Sequence, residues 1–307
     1  MDIQASTILV AGSVNMDLTI RCPRIPMPGE TILGSALVES PGGKGANQAV
    51  AAARLGGRVA MIGCLGVDAY GRALRSKLIA DYVSVEYLID RGDRSGVAFI
   101  EVGEDGENSI VVVPGANALV EPADVEAALA AAPQARLLLL QLEIPLGTVE
   151  AAARLGHARG LTVLLDPAPA QTLPDALLAN VDVLLPNQHE AALLAGMPAG
   201  SLDQAIAAAR RLLARGPRTV LVKLGSRGVL LADSSGVQHI PGHRVHAMDT
   251  TAAGDCLAGA LAVALEEGMP LPSAVAFANL AAALSTTRPG AQESMPSRGE
   301  VEPLLQL

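Results

Sequence analysis

Residues 137–165 read LLLLQLEIPLGTVEAAARLGHARGLTVLL. Leu137–Leu142 is an apolar run of strand length, Leu146–Ala158 carries a helical pattern, and Leu161–Leu165 is apolar and short again. Strand, helix and strand in close succession make a crossover unit, which needs parallel strands. The alternation continues outward on both sides. Strands are expected at Thr7–Ala11, Val59–Gly63, Val183–Leu185 and Thr219–Lys223. Helices are expected at Gly45–Leu55, Gly71–Ala80, Gln188–Ala195, Leu202–Ala214, Ala252–Glu266 and Ser273–Ser285. This order predicts an α/β fold with a doubly wound parallel sheet. Two places depart from it. Leu18–Leu37 holds Pro23, Pro26 and Pro28, and Val97–Glu101 with Ser109–Val113 flank the acidic turn 103–108. These read as hairpin strands of a small separate sheet, placed to act as a lid.

The composition agrees. The chain has 307 residues, half of them hydrophobic, but only 2% aromatic with no Trp, so its core must be aliphatic. The length allows one large or two smaller domains. A formal net charge of −9 argues against nonspecific nucleic-acid binding. Met1-Asp2-Ile3-Gln4 lacks the basic start of a secretory signal, and no apolar run reaches the ~18 residues of a membrane span. Cys22, Cys64 and Cys256 are too scattered for a disulfide framework or paired metal ligands, so the cytoplasm is the expected compartment. Cys256 stands near a helix start, where a thiol pKa can fall, although a partly buried structural residue is the plainer reading.

Asp249-Thr250-Thr251-Ala252-Ala253-Gly254-Asp255 precedes the apolar run Leu257–Leu265. A small-residue turn opening onto a helix offers unpaired N–H groups to an anion. Asp255 then stands where a base would deprotonate an attacking hydroxyl. The combination suggests phosphoryl transfer to an alcohol. An ordinary first-turn acid, favoured by the helix dipole, is the competing reading.

A second glycine-rich turn, Pro41-Gly42-Gly43-Lys44-Gly45-Ala46-Asn47-Gln48, also opens onto a small-residue helix. Its glycines let a ligand approach the backbone, and Lys44 and Asn47 add donors suited to a polyhydroxylated ligand. It is not a Walker A loop, because Gly45 follows the lysine where Ser or Thr would stand. Polar groups also follow the strands: Asn15 and Asp17, Glu143, Asp166, Asn187 and Glu190, and Lys223 with Gly225-Ser226-Arg227-Gly228. Ligands of open parallel sheets bind at the carboxyl ends of strands, so these termini point to one crevice.

With these motifs the chain resembles the PfkB carbohydrate kinase (ribokinase) family over nearly its full length. Gly12-Ser13-Val14-Asn15-Met16-Asp17 looks like the family's sugar motif. The Gly42–Asn47 and Asp249–Asp255 stretches match its two signatures, and Leu224–Gly228 resembles its nucleotide loop. The resemblance implies a three-layer α/β/α sandwich formed by one domain over residues 1–307, with a mostly parallel central sheet. Its small β-sheet lid would take strands from about 14–40 and 95–114. It implies ATP-dependent phosphorylation of D-ribose at O5.

Asp255 would be the base, with Ala252, Ala253 and Gly254 forming an anion hole. The sugar would be bound by Asn15, Met16, Asp17, Gly42, Gly43, Lys44, Gly45, Ala46, Asn47 and Glu143 as well as Asp255. The nucleotide side would be built from Asn187, Glu190, Lys223, Leu224, Gly225, Ser226, Arg227, Gly228, Gly254 and Asn279. Asn187 and Glu190 would act around Mg²⁺, largely through water. A monovalent cation, K⁺, would sit among Asp249, Thr251, Ser285, Arg288, Gly290 and Ser294. A homodimer through the lid is implied, with neither nucleic acid nor membrane as partner.

Lys223 departs from the family, which often carries a hydroxyl residue there; a lysine could reach a phosphate or extend to solvent. Arg227 can equally be a solvated loop charge. Asp166 lies in a stretch resembling a family loop near the site, and a structural role is equally open to it. His239, His243 and His246 lack partners at zinc-ligand spacing, and one of them could pack on the adenine. Deoxyribose, fructose or a nucleoside are alternative acceptors. Few aromatic residues are available to seat a nucleobase. A regulator that keeps the fold without the reaction is the alternative of a different class.

Overall fold

The computed structural model describes residues 5–305; the Met1–Gln4 segment lies outside the described residues. The strands are β1 (Ile8–Ala11), β2 (Asn15–Arg21), β3 (Ala36–Gly42), β4 (Val59–Leu65), β5 (Ser84–Asp90), β6 (Gly96–Val102) and β7 (Asn108–Val113). They continue with β8 (Leu137–Leu140), β9 (Thr162–Leu165), β10 (Val183–Leu184), β11 (Thr219–Lys223), β12 (Val229–Asp233) and β13 (Gly236–Ile240). Nine form the main sheet in the order β13-β12-β11-β10-β9-β8-β1-β4-β5. The run from β5 to β11 is parallel, while β12 and β13 attach antiparallel at one edge.

Neighbouring residues of β1 face opposite sides of this sheet, as strand geometry requires. Ile8 and Val10 pack into one apolar cluster with the Lys44–Arg54, Ala253–Glu266 and Leu271–Ser285 helices. Leu9 and Ala11 pack into the other, with the Pro122–Ala131, Leu146–Ala158 and Leu202–Leu213 helices. Both faces of the central strands are buried, and so they read as unbroken apolar runs. The result is a three-layer α/β/α sandwich. Among the described residues no helix is long and apolar enough to cross a membrane.

The remaining strands form a four-stranded sheet in the order β3-β2-β6-β7, in which β2 runs antiparallel to β3 and parallel to β6. The hairpin β6–β7 follows the expected pattern. The strand reading of Leu137–Leu142 ran too far, because the ladder stops at Leu140 and leaves Gln141 and Glu143 to turn toward the crevice.

The chain leaves β1 in one direction for β4 and β5, and in the other for β8 through β11. That reversal opens a crevice at the carboxyl ends of β1 and β8. The Lys44–Arg54 helix starts there and crosses the Ala253–Glu266 helix at close range. A Cβ on Gly259 would lie 2.5 Å from the Gln48 carbonyl oxygen and 2.9 Å from Ala52 N. The small residues Gly45, Ala46, Ala49, Ala51 and Ala52 are buried along the first of these helices.

Candidate active site

Asp255 lies in the first turn of the Ala253–Glu266 helix and is buried. The turn before it is tight: Ala252 caps the helix at φ 58°, ψ 11°, a left-handed conformation uncommon for a residue with a side chain. Among the described residues, the N–H groups of Ala252, Gly254 and Asp255 have no hydrogen-bond acceptor. Unpaired donors at a helix N-terminus make an anion site. Both carboxylate oxygens of Asp255 are held from the neighbouring helix. Asn47 Nδ2 donates to Oδ2 at 3.0 Å, and Gln48 Nε2 donates to Oδ1 at 3.0 Å. Burial raises the Asp255 pKa and the nearby Asp166 adds to this; Lys44 and the two amides oppose it without cancelling it. A raised carboxylate pKa makes a stronger base.

Around the end of β1, Asn15 Oδ1 accepts from Asn117 Nδ2 at 2.7 Å, and Val14 N donates to Asn117 Oδ1. Glu143 Oε2 accepts from Ser13 Oγ at 2.5 Å and from Lys44 N at 3.2 Å. Asp17 lies over Gly42, where an added Cβ would meet its carboxylate at 2.0 Å. Gly43, with φ 87°, caps the Lys44–Arg54 helix, and Gly45 abuts the backbone of Gly12 and Ser13. Met16 and Ala46 pack into the core cluster.

Burial and the negative charges of Glu143, Asp255 and Glu293 push the Asp17 pKa from 3.8 up to about 7, with Lys44 opposing. Between these values the folded chain keeps a proton that the unfolded chain has released. This group's contribution to stability is therefore fully present below the unfolded pKa and is lost as pH rises toward about 7. Asp17→Asn is expected to raise the thermal midpoint at about pH 8 and to change it far less near pH 4. Thermal denaturation at both pH values checks this; a pH-independent effect would contradict it.

On the far side of Asp255 lie two cavities. The smaller, about 290 Å³, is lined by Lys44, Asp166, Asn187, Glu190, Lys223, Ala252, Ala253, Gly254 and Asp255 among others. Asn187 caps the Gln188–Ala195 helix, and its backbone N–H and side-chain amide both donate to the Glu190 carboxylate. Burial raises the Glu190 pKa, with Lys223 opposing. Burial disfavours the Lys44 ammonium, but Asp255, Asp166, Glu143 and Glu190 outweigh it and hold its pKa above the usual range.

The larger cavity, about 610 Å³, lies beyond the 252–254 turn. Lys223, Gly225, Ser226, Gly228, His243 and Asn279 are among its lining residues. Asn279 Nδ2 donates to Pro241 O at 2.8 Å. Two expected nucleotide contacts line neither cavity. Leu224 is buried in the core, and Arg227 turns away to donate to Gln188 Oε1 at 2.9 Å. His239 bonds Arg227 O, and among the described residues no group of three His, Cys, Asp or Glu could hold a metal ion. Cys256 is fully buried and its thiol is pushed up to about 12, mainly by burial, which agrees with the buried structural reading and not with a lowered thiol pKa.

Asp249 ties two loops together. Its Oδ1 accepts from Thr251 N and its Oδ2 from Gly290 N, both at 2.9 Å. Burial acts to raise its pKa, but these bonds outweigh it and hold the carboxyl below its usual range. Ser285 and Ser294 are buried, and each hydroxyl donates to a local carbonyl. The Arg288 side chain pairs with Glu300.

Several site residues fall outside the expected set. Gln48, Gln141, Asp166, Asn117, Ser13 and Gln292 form the buried scaffold of the crevice. Gln141 Nε2 donates to Gln48 Oε1 at 2.6 Å, Gln48 Nε2 donates to Asp166 Oδ2 at 3.1 Å, and Gln292 Nε2 donates to Asn47 Oδ1 at 3.3 Å. Lys223 Nζ donates to Asp166 Oδ1 at 2.6 Å.

A buried carboxylate beside a helix start with unpaired N–H groups, and a large cavity beyond it, suits a group-transfer enzyme acting on phosphate. Residues 5–298 match the pfkB family carbohydrate kinase profile, and the chain belongs to that family. It is 41% identical over 295 residues to a ribokinase of Haemophilus influenzae, covering 96% of each chain. It is 42% identical over 301 residues to a ribokinase of Bacillus subtilis, covering 97% of this chain and 99% of that one. The structure of Arabidopsis thaliana ribokinase complexed with ribose and ATP superposes with a TM-score of 0.89, at 34% identity over 99% of each chain.

Proposed function

We propose that the chain transfers the γ-phosphoryl group of ATP to O5 of D-ribose, releasing ribose 5-phosphate and ADP. The observation that carries this reading is the placement of Asp255. Its carboxylate is buried and raised in pKa, pinned by Asn47 and Gln48, and set beside unpaired N–H groups at the mouth of a nucleotide-sized cavity.

Asn15, Asp17, Glu143 and the Gly42–Asn47 turn ring the sugar, offering carboxylate and amide oxygens to its hydroxyls. Asp255 removes the O5 proton as the oxygen attacks the γ-phosphorus, and the bond to the β,γ-bridging oxygen breaks. The N–H groups at 252–255, with Lys44, offset the charge on the transferring group. Asn187 and Glu190 suit a hydrated Mg²⁺, whose preference for oxygen donors they meet. When bound, that ion screens the phosphate charges. Asp249, Thr251, Ser285, Arg288, Gly290 and Ser294 contribute carbonyl, hydroxyl and carboxylate oxygens fit for K⁺. If bound there, a cation would steady the loop that carries the anion hole.

The four-stranded sheet closes over the sugar as a lid. Its edges expose Leu37, Val38 and the run Ile110–Val113, an apolar face suited to a second copy of the chain. We therefore expect a homodimer, which sedimentation velocity would detect; a monomer at assay concentration would exclude it. The three unpaired cysteines support a reducing compartment, the cytoplasm, which cell fractionation would test.

The test of function is ADP release with Mg-ATP, with and without K⁺, offering ribose, 2-deoxyribose, fructose and adenosine in parallel. The expected result is a kcat/KM for ribose well above the others and a lower rate without K⁺. Preference for another sugar would reassign the pocket, and no turnover would overturn the kinase reading.

A further inference from the structure

Behind Asp255 runs a line of buried polar groups that the reaction as written does not use. Gln48 is fully buried, and its amide is spent entirely within the protein. Nε2 donates to Asp255 Oδ1 at 3.0 Å and to Asp166 Oδ2 at 3.1 Å, while Oε1 accepts from Gln141 Nε2 at 2.6 Å. Turning this amide over would aim its oxygen at two carboxylates, so the two acids together fix its orientation. Asp166 is itself 1% exposed, and its other oxygen takes the Lys223 ammonium at 2.6 Å. Lys223 is the last residue of β11 and lines both cavities. A Cβ placed on Gly254 would sit 3.4 Å from its Nζ, so the ammonium rests against the anion-binding turn.

We propose that Gln48, Asp166 and Lys223 form one positioning chain, in which the Lys223–Asp166 ion pair holds the Gln48 amide, and through it Asp255, in the orientation that proton removal needs. This rests on the reading of Asp255 as the base. Without the lysine, Asp166 is a buried carboxylate that has lost its ion-pair partner, a state that proteins relieve by rearrangement. The bare carboxylate then competes with Asp255 for the Gln48 N–H groups. The amide shifts toward Asp166, and its hold on Asp255 loosens. A neutral asparagine at 166 escapes this conflict, because its carbonyl accepts from Gln48 without needing a cation. The effect of losing Lys223 therefore depends on which residue stands at 166.

The test is a double-mutant cycle of Lys223→Thr and Asp166→Asn, reading kcat, both KM values and ribose affinity by calorimetry. Lys223→Thr is expected to lower kcat by about 30-fold, with ribose affinity unchanged within about 3-fold. Adding Asp166→Asn is expected to restore kcat to within about 5-fold of the parent. Additive losses, or a Lys223→Thr defect confined to the KM for ATP, would overturn the proposal and leave the lysine a phosphate contact only.

Gln48→Met gives a second reading, because it keeps the length and loses the amide. It should lower kcat by about 30-fold while ribose still binds, and an unchanged kcat would overturn the chain. Thermal unfolding of each variant separates these effects from misfolding. Asp255→Asn run alongside separates the two hypotheses. Normal turnover there removes the base itself and this proposal with it. An inactive Asp255→Asn together with a failed rescue removes the positioning chain alone.

Discussion

Replacing Asp255 by asparagine is expected to lower kcat by about 10³-fold while leaving ribose binding within about 3-fold of the parent. The substitution preserves shape, so the pocket stays filled. It removes the group proposed to accept the O5 proton. It also places one amide N–H against a donor, because Asn47 and Gln48 both donate to the native carboxylate. One mismatched donor costs about 1–3 kcal/mol and is local. The loss should therefore appear in kcat. Single-turnover phosphorylation with calorimetric ribose binding separates the two quantities. Near-normal turnover would end the assignment of Asp255 as base.

Gly43→Ala should do comparable damage by a different route. Gly43 sits at φ 87°, ψ 131°, where residues with a side chain are rarely found. An alanine Cβ there would lie 2.7 Å from Asn15 N, 2.9 Å from Val14 Cα and 3.0 Å from Ser13 O. All three are backbone atoms and cannot swing aside. Strain and overpacking together should cost about 2–5 kcal/mol. Relief must come from shifting β1's exit loop against the helix that carries Asn47 and Gln48. Ribose affinity should fall by more than about 100-fold, along with a lower thermal midpoint. Normal affinity in the alanine variant would show that the turn does not shape the sugar pocket.

The central strands were legible because burial on both faces leaves uninterrupted apolar runs, as at Leu137–Leu140. Ser84–Asp90 gave no such signal: it is an edge strand with an irregular burial pattern, and Glu86 and Asp90 are charged. The Pro122–Ala131 helix was also missed, although Glu121, Pro122 and Asp124 form a capping box with proline in the first turn. Strand β13 went unread because it is largely exposed, whereas β12 is a buried apolar run of the legible kind and was passed over.

In the site, glycine spacing exposed the two turns, and the charged strand ends exposed the crevice. Asn117 and Gln292 could not be found this way. Each sits in a short 3₁₀ turn far along the chain, without periodicity to mark it. Gln48 lay inside a quoted motif, but an amide that serves two carboxylates looks in sequence like one that serves a ligand. The weight of Asp166 emerges only when β9 and β11 are brought side by side with β10 between them.

Gly259 gives the crossing of two helices a catalytic meaning. Asp255 rides on one helix and the amides that clamp it ride on the other, so their separation is a machining tolerance set by the missing side chain. A methyl group there would act as a shim, forcing the helices apart at the Gln48 carbonyl one turn from the chemistry. Changes deep in the apolar layer would then tune turnover without touching any ligand. Directed evolution of this enzyme for speed would find useful variants among its buried alanines as well as around its pocket.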